Sequence, residues 1–257
     1  MLTVSQTAAL LRTFDNILIL THVRPDGDTV GCAAALCAGL RSLGKTAFLL
    51  PNPELTDTTA PYFRPYEAPE CFTPDKVVST DIATVGLFPE NARPYAERVD
   101  LAIDHHPSFE SFGRENIVRP EAAACGELIY DILSDLGPIT PEMALPLYVA
   151  ISTDTGGFIY SNVTAATHRA AAALMDTGID YRAVNKIHFR TKSRTFTTLK
   201  EAIAQTESKG GGNLPSRNEI EEKLDLAETA EQVETIVGKM PPQRQQIFRM
   251  SRFEHMP

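Results

Sequence analysis

Aspartates and histidines recur at four points of the sequence, each time directly after an apolar stretch. The eight residues are His22, Asp26, Asp28, Asp81, Asp104, His105, His106 and Asp154. Carboxylates gathered in one place oppose one another's ionisation unless cations or protons intervene. Carboxylate and imidazole donors without thiolate suit Mn²⁺, with Mg²⁺ as the alternative, better than a structural zinc ion. Two such ions can share a bridging carboxylate, lower the pKa of a bound water and clamp phosphoryl oxygens, so these residues predict two-metal phosphoester hydrolysis.

Each of these points also has a simpler interpretation. Asp28 stands at the start of an expected helix, where aspartate is a good N-terminal cap, and capping and metal binding are both open for this residue. The run 104–106 is followed by proline and, taken alone, is typical of a solvated turn. Caps and turns explain each point separately but give no reason for four of them in succession. The metal interpretation is therefore the leading one.

The positions of these residues depend on an alternation of short apolar runs and helical patterns. Strands are predicted at 16–22, 45–50, 76–80 and 98–104. Helices are predicted at 29–43, 123–137, 141–156 and 164–178. The alternation is typical of an α/β protein, a parallel β-sheet flanked by helices. Because parallel strands deliver the residues that follow them to one edge of the sheet, all four clusters are expected to meet there.

Composition is that of an ordinary folded chain. Of its 257 residues, 43% are hydrophobic and 22% charged, which excludes a disordered or fibrous protein. The sequence shows no secretory signal and no uncharged stretch long enough for a membrane helix, so we expect a cytoplasmic protein. The net charge of −9 argues against sequence-independent capture of nucleic acid. The four cysteines, Cys32, Cys37, Cys71 and Cys125, lack CxxC spacing, which favours structural thiols over disulfides or a zinc site.

The character of the sequence changes after about residue 205. Residues 208–218 concentrate Gly, Ser, Pro and Asn as linkers do, whereas 219–257 are charged, interrupted by proline and helical in pattern. We therefore predict an α/β domain at 1–207, a linker at 208–218 and a helical tail at 219–257.

Five ordered motifs resemble those of the DHH phosphoesterases, and within them the NrnA-like group of oligoribonucleases and 3′-phosphoadenosine 5′-phosphate phosphatases. The motifs are HVRPDGD, VSTD, DHHPSFESFG, AACGELIYDIL and ISTDTGGFIYSNVTAATHRAA, and the resemblance covers roughly residues 8–205. It implies a metal-dependent hydrolase whose substrate is short RNA or a 3′,5′-bisphosphonucleotide.

The resemblance also implies a role for each of the eight residues. One ion would be held by His22 and Asp26, the other by Asp28, His105 and Asp154, and Asp81 would bridge the pair. His106 would face the phosphate as a catalytic and substrate-binding residue, and Asp104 would orient a neighbouring imidazole or water. In the last motif, helix capping is the expected role of Asn162, Thr164 and Thr167.

The sequence departs from the family pattern beyond its first domain. Members of the group carry a further domain, DHHA1, whose glycine-rich motif and basic residues grip the substrate, and the tail at 219–257 does not resemble it. The tail instead resembles the start of region 4 of extracytoplasmic-function sigma factors and stops before a recognition helix, so stable DNA binding is not expected. Since the gripping domain is not found, we expect metal binding to survive better than turnover.

Several functions stay open at this point. The leading one is hydrolysis of short RNA or of a 3′,5′-bisphosphonucleotide. A cyclic dinucleotide or pyrophosphate is an alternative substrate for the same metal core. A catalytically impaired nucleotide-binding or interaction module is a third interpretation, and the tail alone suggests a role in transcription. A homodimer is left open, and no membrane partner is expected.

Overall fold

A five-stranded parallel sheet lies at the centre of the protein in the computed structural model, which describes residues 1–190. Its strands are β1 (Ile17–Leu20), β2 (Ala47–Leu49), β3 (Lys76–Thr80), β4 (Leu101–Asp104) and β5 (Glu115–Val118). They lie in the order β2-β1-β3-β4-β5, and every neighbouring pair is parallel. The predicted α/β class is therefore confirmed, and the four predicted strands are present. β5 is an additional strand that the sequence patterns do not predict.

Seven α-helices accompany the sheet in the described part of the chain. They are α1 (Val4–Thr13), α2 (Gly27–Ser42), α3 (Ala60–Phe63), α4 (Cys125–Leu136), α5 (Pro141–Asp154), α6 (Ala165–Asp176) and α7 (Tyr181–Asn185). The four predicted helices correspond to α2, α4, α5 and α6. Contacts group Met1–His188 into one unit, whereas the predicted end of the first domain at 207, the linker at 208–218 and the tail at 219–257 lie outside the described residues. Within residues 1–190, no helix has the length and apolar character needed to cross a bilayer.

The two faces of the sheet are covered in different ways. All of β1 is buried, and its alternate residues enter two apolar clusters: Ile17 and Ile19 face one, Leu18 and Leu20 the other. The first cluster contains residues of the long helices α2, α4 and α5. The second is closed by Ala92 of the 3-10 helix Glu90–Arg98 and by Phe88, which lies just before it. Burial on both faces explains why the central strands are continuous apolar runs.

Helix α2 is almost entirely buried because it lies between the sheet and α5. It is rich in alanine and glycine, and these small side chains allow the backbones of the two helices to approach closely. A methyl group added at Gly31 would lie 2.3 Å from the carbonyl oxygen of Pro146 and 2.9 Å from the backbone nitrogen of Ala150. Both contacts are with backbone atoms, which have no rotamer through which to move away.

We therefore expect Gly31→Ala to lower the free energy of unfolding by about 1–3 kcal/mol, as overpacked core substitutions do. Denaturant titration followed by circular dichroism measures this change. Gly137→Ala is the matched control, because no described atom lies within 4 Å of the added methyl group and the backbone at that position is extended. Equal unfolding midpoints for the two variants would contradict this account of the α2–α5 contact.

Candidate metal centre

The loop after β1 carries three of the predicted residues into the start of α2. Asp26 is the N-cap of α2: its Oδ1 accepts hydrogen bonds from the backbone N–H groups of Asp28 (3.0 Å) and Thr29 (3.1 Å). The capping role considered for Asp28 at this helix is therefore wrong, and Asp26 takes it. The same Asp26 oxygen lies 3.6 Å from Nε2 of His22, so capping leaves this carboxylate beside an imidazole.

Asp28 is buried and joins α2 to the start of α4. Its Oδ2 accepts a hydrogen bond from the backbone N–H of Cys125 (2.7 Å), and its Oδ1 accepts one from that of Gly126 (3.0 Å). Ala124, which precedes α4, has no side-chain oxygen that could serve these donors. Asp28 thus supplies the negative charge that a helix N-terminus favours, but to a different helix from its own.

Asp81 follows β3 and is buried between three imidazoles. Its Oδ2 lies 3.9 Å from Nε2 of His22, and its Oδ1 lies 3.6 Å from both Nε2 of His105 and Nδ1 of His106. The residue has a φ of 57°, a left-handed conformation that is costly for aspartate. Oδ1 has no hydrogen-bond partner among residues 1–190. A strained backbone and an unsatisfied buried oxygen are both features that concentrate at functional sites.

Backbone carbonyls fix the orientation of two of the histidines. Nδ1 of His22 lies 2.7 Å from the carbonyl oxygen of Val23, and Nδ1 of His105 lies 3.1 Å from that of Ala122. A carbonyl oxygen only accepts, so each Nδ1 carries the proton and donates. In the neutral ring, each Nε2 then carries the lone pair and faces the carboxylates, which is the form that a metal-binding imidazole takes.

Asp104, the last residue of β4, holds the third histidine in place. Its Oδ1 accepts from the backbone N–H groups of His105 (2.7 Å) and His106 (3.2 Å) and contacts Nδ1 of His106 at 2.8 Å. This hydrogen bond is the main cause that raises the pKa of His106, although partial burial opposes it. The predicted pairing of Asp104 with a neighbouring imidazole is therefore present in the structure.

Asp154 enters the site from a helix. It is the last residue of α5, and its Oδ2 lies 3.6 Å from Nε2 of His105. The expectation that strand ends would deliver all four clusters is wrong for this residue. Thr164 and Thr167 cap α6 as predicted, but Asn162 does not: its side chain donates to the backbone oxygens of Ala123 and Asp154 and so ties the end of α5 to the start of α4.

All eight predicted residues therefore lie at one edge of the sheet. Their ligating atoms form three groups, and the atoms inside each group lie within 4.8 Å of one another. The groups are His22, Asp26 and Asp81; Asp28, His105 and Asp154; and Asp81, His105 and His106. A cavity of about 340 Å³ opens above Asp81 and is also lined by Arg24 and Leu87. Sequence reasoning did not identify these last two residues, since nothing in their local pattern shows that they face the cavity.

The electrostatics of the cluster reveal a deficit of positive charge. Burial, followed by repulsion from the neighbouring carboxylates, raises the pKa values of Asp28 and Asp81 well above the ordinary range, and burial is the first cause of the raised pKa of Asp154. Asp26 is the exception: burial opposes ionisation, but the contact with His22 outweighs it and lowers the pKa. Cations bound among these carboxylates would remove the repulsion.

The donor set of the site is made of oxygen and nitrogen. Cys32 and Cys125 lie beside Asp28, but burial raises the pKa values of both thiols, so they remain protonated. Cys37 is buried as well, whereas Cys71 is exposed. Carboxylates and imidazoles without thiolate fit hard to borderline divalent ions such as Mn²⁺ or Mg²⁺, and the unsatisfied Oδ1 of Asp81 offers a free coordination position.

Comparisons with known proteins find relatives in sequence and a solved structure of similar fold. The bifunctional oligoribonuclease and PAP phosphatase NrnA of Thermus thermophilus is 32% identical over 205 residues, which are 77% of this chain and 61% of that protein. The protein of the same name from Bacillus subtilis is 27% identical over 175 residues, 65% of this chain and 55% of that protein. An exopolyphosphatase-related protein from Bacteroides fragilis has a similar fold, with a TM-score of 0.67 at 23% identity over 79% of this chain and 64% of that one.

The chain thus spans about three-fifths of the length of the first of these relatives. The DHH family, N-terminal domain, matches residues 16–151, which is more than half of the chain. The matched residues run from just before β1 into α5 and contain seven of the eight site residues, with Asp154 following closely. The chain belongs to the DHH family.

Proposed function

We propose that this chain is a metal-dependent phosphoesterase that hydrolyses short oligoribonucleotides, 3′,5′-bisphosphonucleotides or both. The observation that carries the proposal is the position of Asp81, a buried carboxylate shared by two groups of ligating atoms beneath an open cavity. The NrnA relatives, whose names give oligoribonuclease and PAP phosphatase activities, support the choice of substrate.

Two divalent ions would be held at this edge of the sheet, with Mn²⁺ preferred and Mg²⁺ as the alternative. The ligands of one would be His22 and Asp26, those of the other Asp28, His105 and Asp154. Asp81 would be shared, because its two oxygens face His22 and His105 respectively. When bound, such ions lower the pKa of water and neutralise charge on phosphoryl oxygens. The protein's own contribution is to hold the imidazole lone pairs and the carboxylates in position before the substrate arrives.

His106 would act directly on the substrate. Its Nδ1 is held by Asp104 while the ring is partly exposed and lines the cavity, so Nε2 is free to meet a phosphoryl oxygen. The hydrogen bond to Asp104 raises the pKa of His106, which favours the protonated ring. A protonated imidazole would donate a hydrogen bond to the oxygens on which charge gathers during hydrolysis.

Asp104→Asn tests this pairing. We expect kcat/KM to fall by about 10–100-fold, the usual effect of losing a residue that orients a group in a metal site. The amide also removes the charge that raises the pKa of His106, so the ring loses its proton at a lower pH and the alkaline fall in activity moves to lower pH. A pH–rate profile measures this, with an NMR titration of His106 beside it. An unchanged profile would contradict the proposed role of the imidazolium.

The function itself is tested by incubating the purified chain and Mn²⁺ with a labelled dinucleotide or with adenosine 3′,5′-bisphosphate. We expect phosphate or mononucleotide to be released, and we expect His105→Ala to abolish the release because it removes the imidazole that lies between three carboxylates. Parallel reactions with a cyclic dinucleotide and with pyrophosphate distinguish the substrate class. Equal rates in the two chains would indicate a contaminating enzyme, and no release from any substrate would favour a binding module.

A further inference from the structure

Arg24 lines the cavity but belongs to none of the groups of metal-ligating atoms. It lies in the loop between β1 and α2, is exposed, and lines the same cavity as Asp81 and His106. Of the lining side chains that the structure describes, only this one carries a permanent positive charge, because the others are acidic, apolar or imidazole. The cavity therefore has one fixed cation in a wall that also carries three carboxylates.

The guanidinium group is not engaged with those carboxylates. Asp26 is only two residues away, and Asp81 and Asp154 line the same cavity, yet Arg24 forms no ion pair or side-chain hydrogen bond within residues 1–190. An arginine beside several acids that pairs with none of them keeps its five donors available to a ligand.

The backbone at Arg24 is held in a costly conformation. Its φ is 51°, in the left-handed region, and the next residue is Pro25, which further restricts the residue before it. The loop is fixed on the preceding side: the N–H of Val23 donates to the carbonyl oxygen of Leu87 at 2.7 Å. On the following side, Asp26 caps α2. Strain of this kind persists only where the surrounding structure imposes it, and it concentrates at binding sites.

We propose that Arg24 binds a second phosphate of the substrate, one that is not hydrolysed. Asp81 is buried and Arg24 is exposed, so a phosphate among the metal ligands would leave the guanidinium for a second phosphate closer to solvent. The planar fork of arginine matches two phosphate oxygens at once. This inference rests on the proposed function and refines it: the substrates are nucleotides with two phosphate groups, such as 3′,5′-bisphosphonucleotides or dinucleotides with a terminal phosphate.

The preference for a second phosphate is measured by binding rather than by turnover. Isothermal titration with adenosine 3′,5′-bisphosphate and with adenosine 5′-monophosphate, in buffer with Ca²⁺ in place of Mn²⁺, gives both affinities. We expect the natural chain to bind the bisphosphate about 10–100-fold more tightly, the range given by a hydrogen-bonded charge pair. Arg24→Ala should abolish this preference and change binding of the monophosphate by less than about threefold, while Arg24→Lys should retain part of it.

A second variant, Arg24→Gly, tests whether Arg24→Ala loses affinity only because it is misfolded. Arg24→Gly relieves the left-handed strain, so we expect its Tm to exceed that of Arg24→Ala by about 2 °C or more while the preference for the bisphosphate is equally absent. A bisphosphate preference that survives in Arg24→Ala, an equal loss for both ligands, or no preference in the natural chain would each overturn the proposal.

The same measurements separate this inference from the proposed function. If the natural chain prefers the bisphosphate through Arg24 but hydrolyses neither it nor a dinucleotide, the phosphate site stands and the proposed function fails. If the chain hydrolyses the bisphosphate and Arg24→Ala leaves its KM unchanged, the function stands and the phosphate site is wrong.

Discussion

Asp81→Asn is expected to lower kcat/KM by on the order of a thousandfold, at the upper end of what a single electrostatic group in an active site contributes. The reason is its position: its Oδ2 lies 3.9 Å from Nε2 of His22 in one proposed ion site, and its Oδ1 lies 3.6 Å from Nε2 of His105 in the other, so its loss disturbs both sites at once. The amide has nearly the same shape as the carboxylate but one of its two oxygens is replaced by a donor group. Shared coordination of two cations is therefore lost.

In the absence of metal ions, the same substitution should not destabilise the fold. The carboxyl of Asp81 is buried with a strongly raised pKa, and its Oδ1 has no hydrogen-bond partner within residues 1–190, so the charge is not stabilised there. We expect the Tm of metal-free Asp81→Asn to equal or exceed that of the natural chain. Activity assays and thermal melts with and without Mn²⁺ measure the two effects on the same samples.

Asp100→Asn is the matched control, because Asp100 is a buried aspartate at the opposite end of the neighbouring strand. It is fully paired: Lys76 and Arg114 contact its Oδ1 at 3.2 and 3.3 Å, and the N–H of Val77 donates to Oδ2 at 3.0 Å. This variant should lose stability and keep its activity within about threefold. If Asp81→Asn behaved like Asp100→Asn, the shared role of Asp81 would be refuted.

The contrast between these two aspartates shows what the sequence could predict. Parallel strands place the residues that follow them at one edge, so identifying β1, β3 and β4 was sufficient to bring His22, Asp81 and His105 together. The apolar runs of these strands are continuous because both faces are buried, and that made them visible as a pattern. Asp100 lies at the other end of β4, just before Leu101, and so at the opposite edge of the sheet from the site.

Other features of the site and the fold depend on tertiary contacts, which sequence patterns do not reveal. Asp154 reaches the site from the end of a helix, and Asp28 is fixed by N–H groups that lie almost a hundred residues away in the chain. β5 was not predicted because half of its residues are polar and it is an edge strand, where alternation is weak. The left-handed backbone of Arg24 lies in a loop that Val23 holds against Leu87 through a backbone hydrogen bond, and local sequence carries no sign of it.

Removing divalent ions should make the protein lose stability as the pH rises. Asp28, Asp81 and Asp154 have pKa values raised above the ordinary 3.8 by burial and mutual repulsion, so the folded state binds more protons than the unfolded state above that pH. The pKa of His22 is raised above 6.5 because its contacts with Asp26 outweigh burial, and the pKa of His106 is raised by Asp104. All five groups therefore stabilise the fold at low pH and lose this effect as each releases its proton.

The contribution of Asp26 to folding stability changes with pH in the opposite direction, but it does so in a different pH range. Its lowered pKa gives stability that is present above 3.8 and lost only in stronger acid. Between pH 5 and pH 8 the raised groups dominate, and we expect the Tm of the chelator-treated protein to fall steadily. Differential scanning calorimetry across this range measures the change.

Mn²⁺ should reverse this trend, because metal ions compete with protons for ionised carboxylates and neutral imidazoles and so bind more tightly as the pH rises. At a concentration about 100 times its Kd, an ion that binds only the folded state adds about 2.7 kcal/mol. For a domain of this size that corresponds to a rise in Tm of about 5–10 °C. The rise should be larger at pH 8 than at pH 5 and should be strongly reduced in Asp81→Asn. A Mn²⁺ effect that is the same at both pH values, or that Asp81→Asn retains in full, would mean that the ions bind elsewhere and that the acidic cluster is not the metal centre.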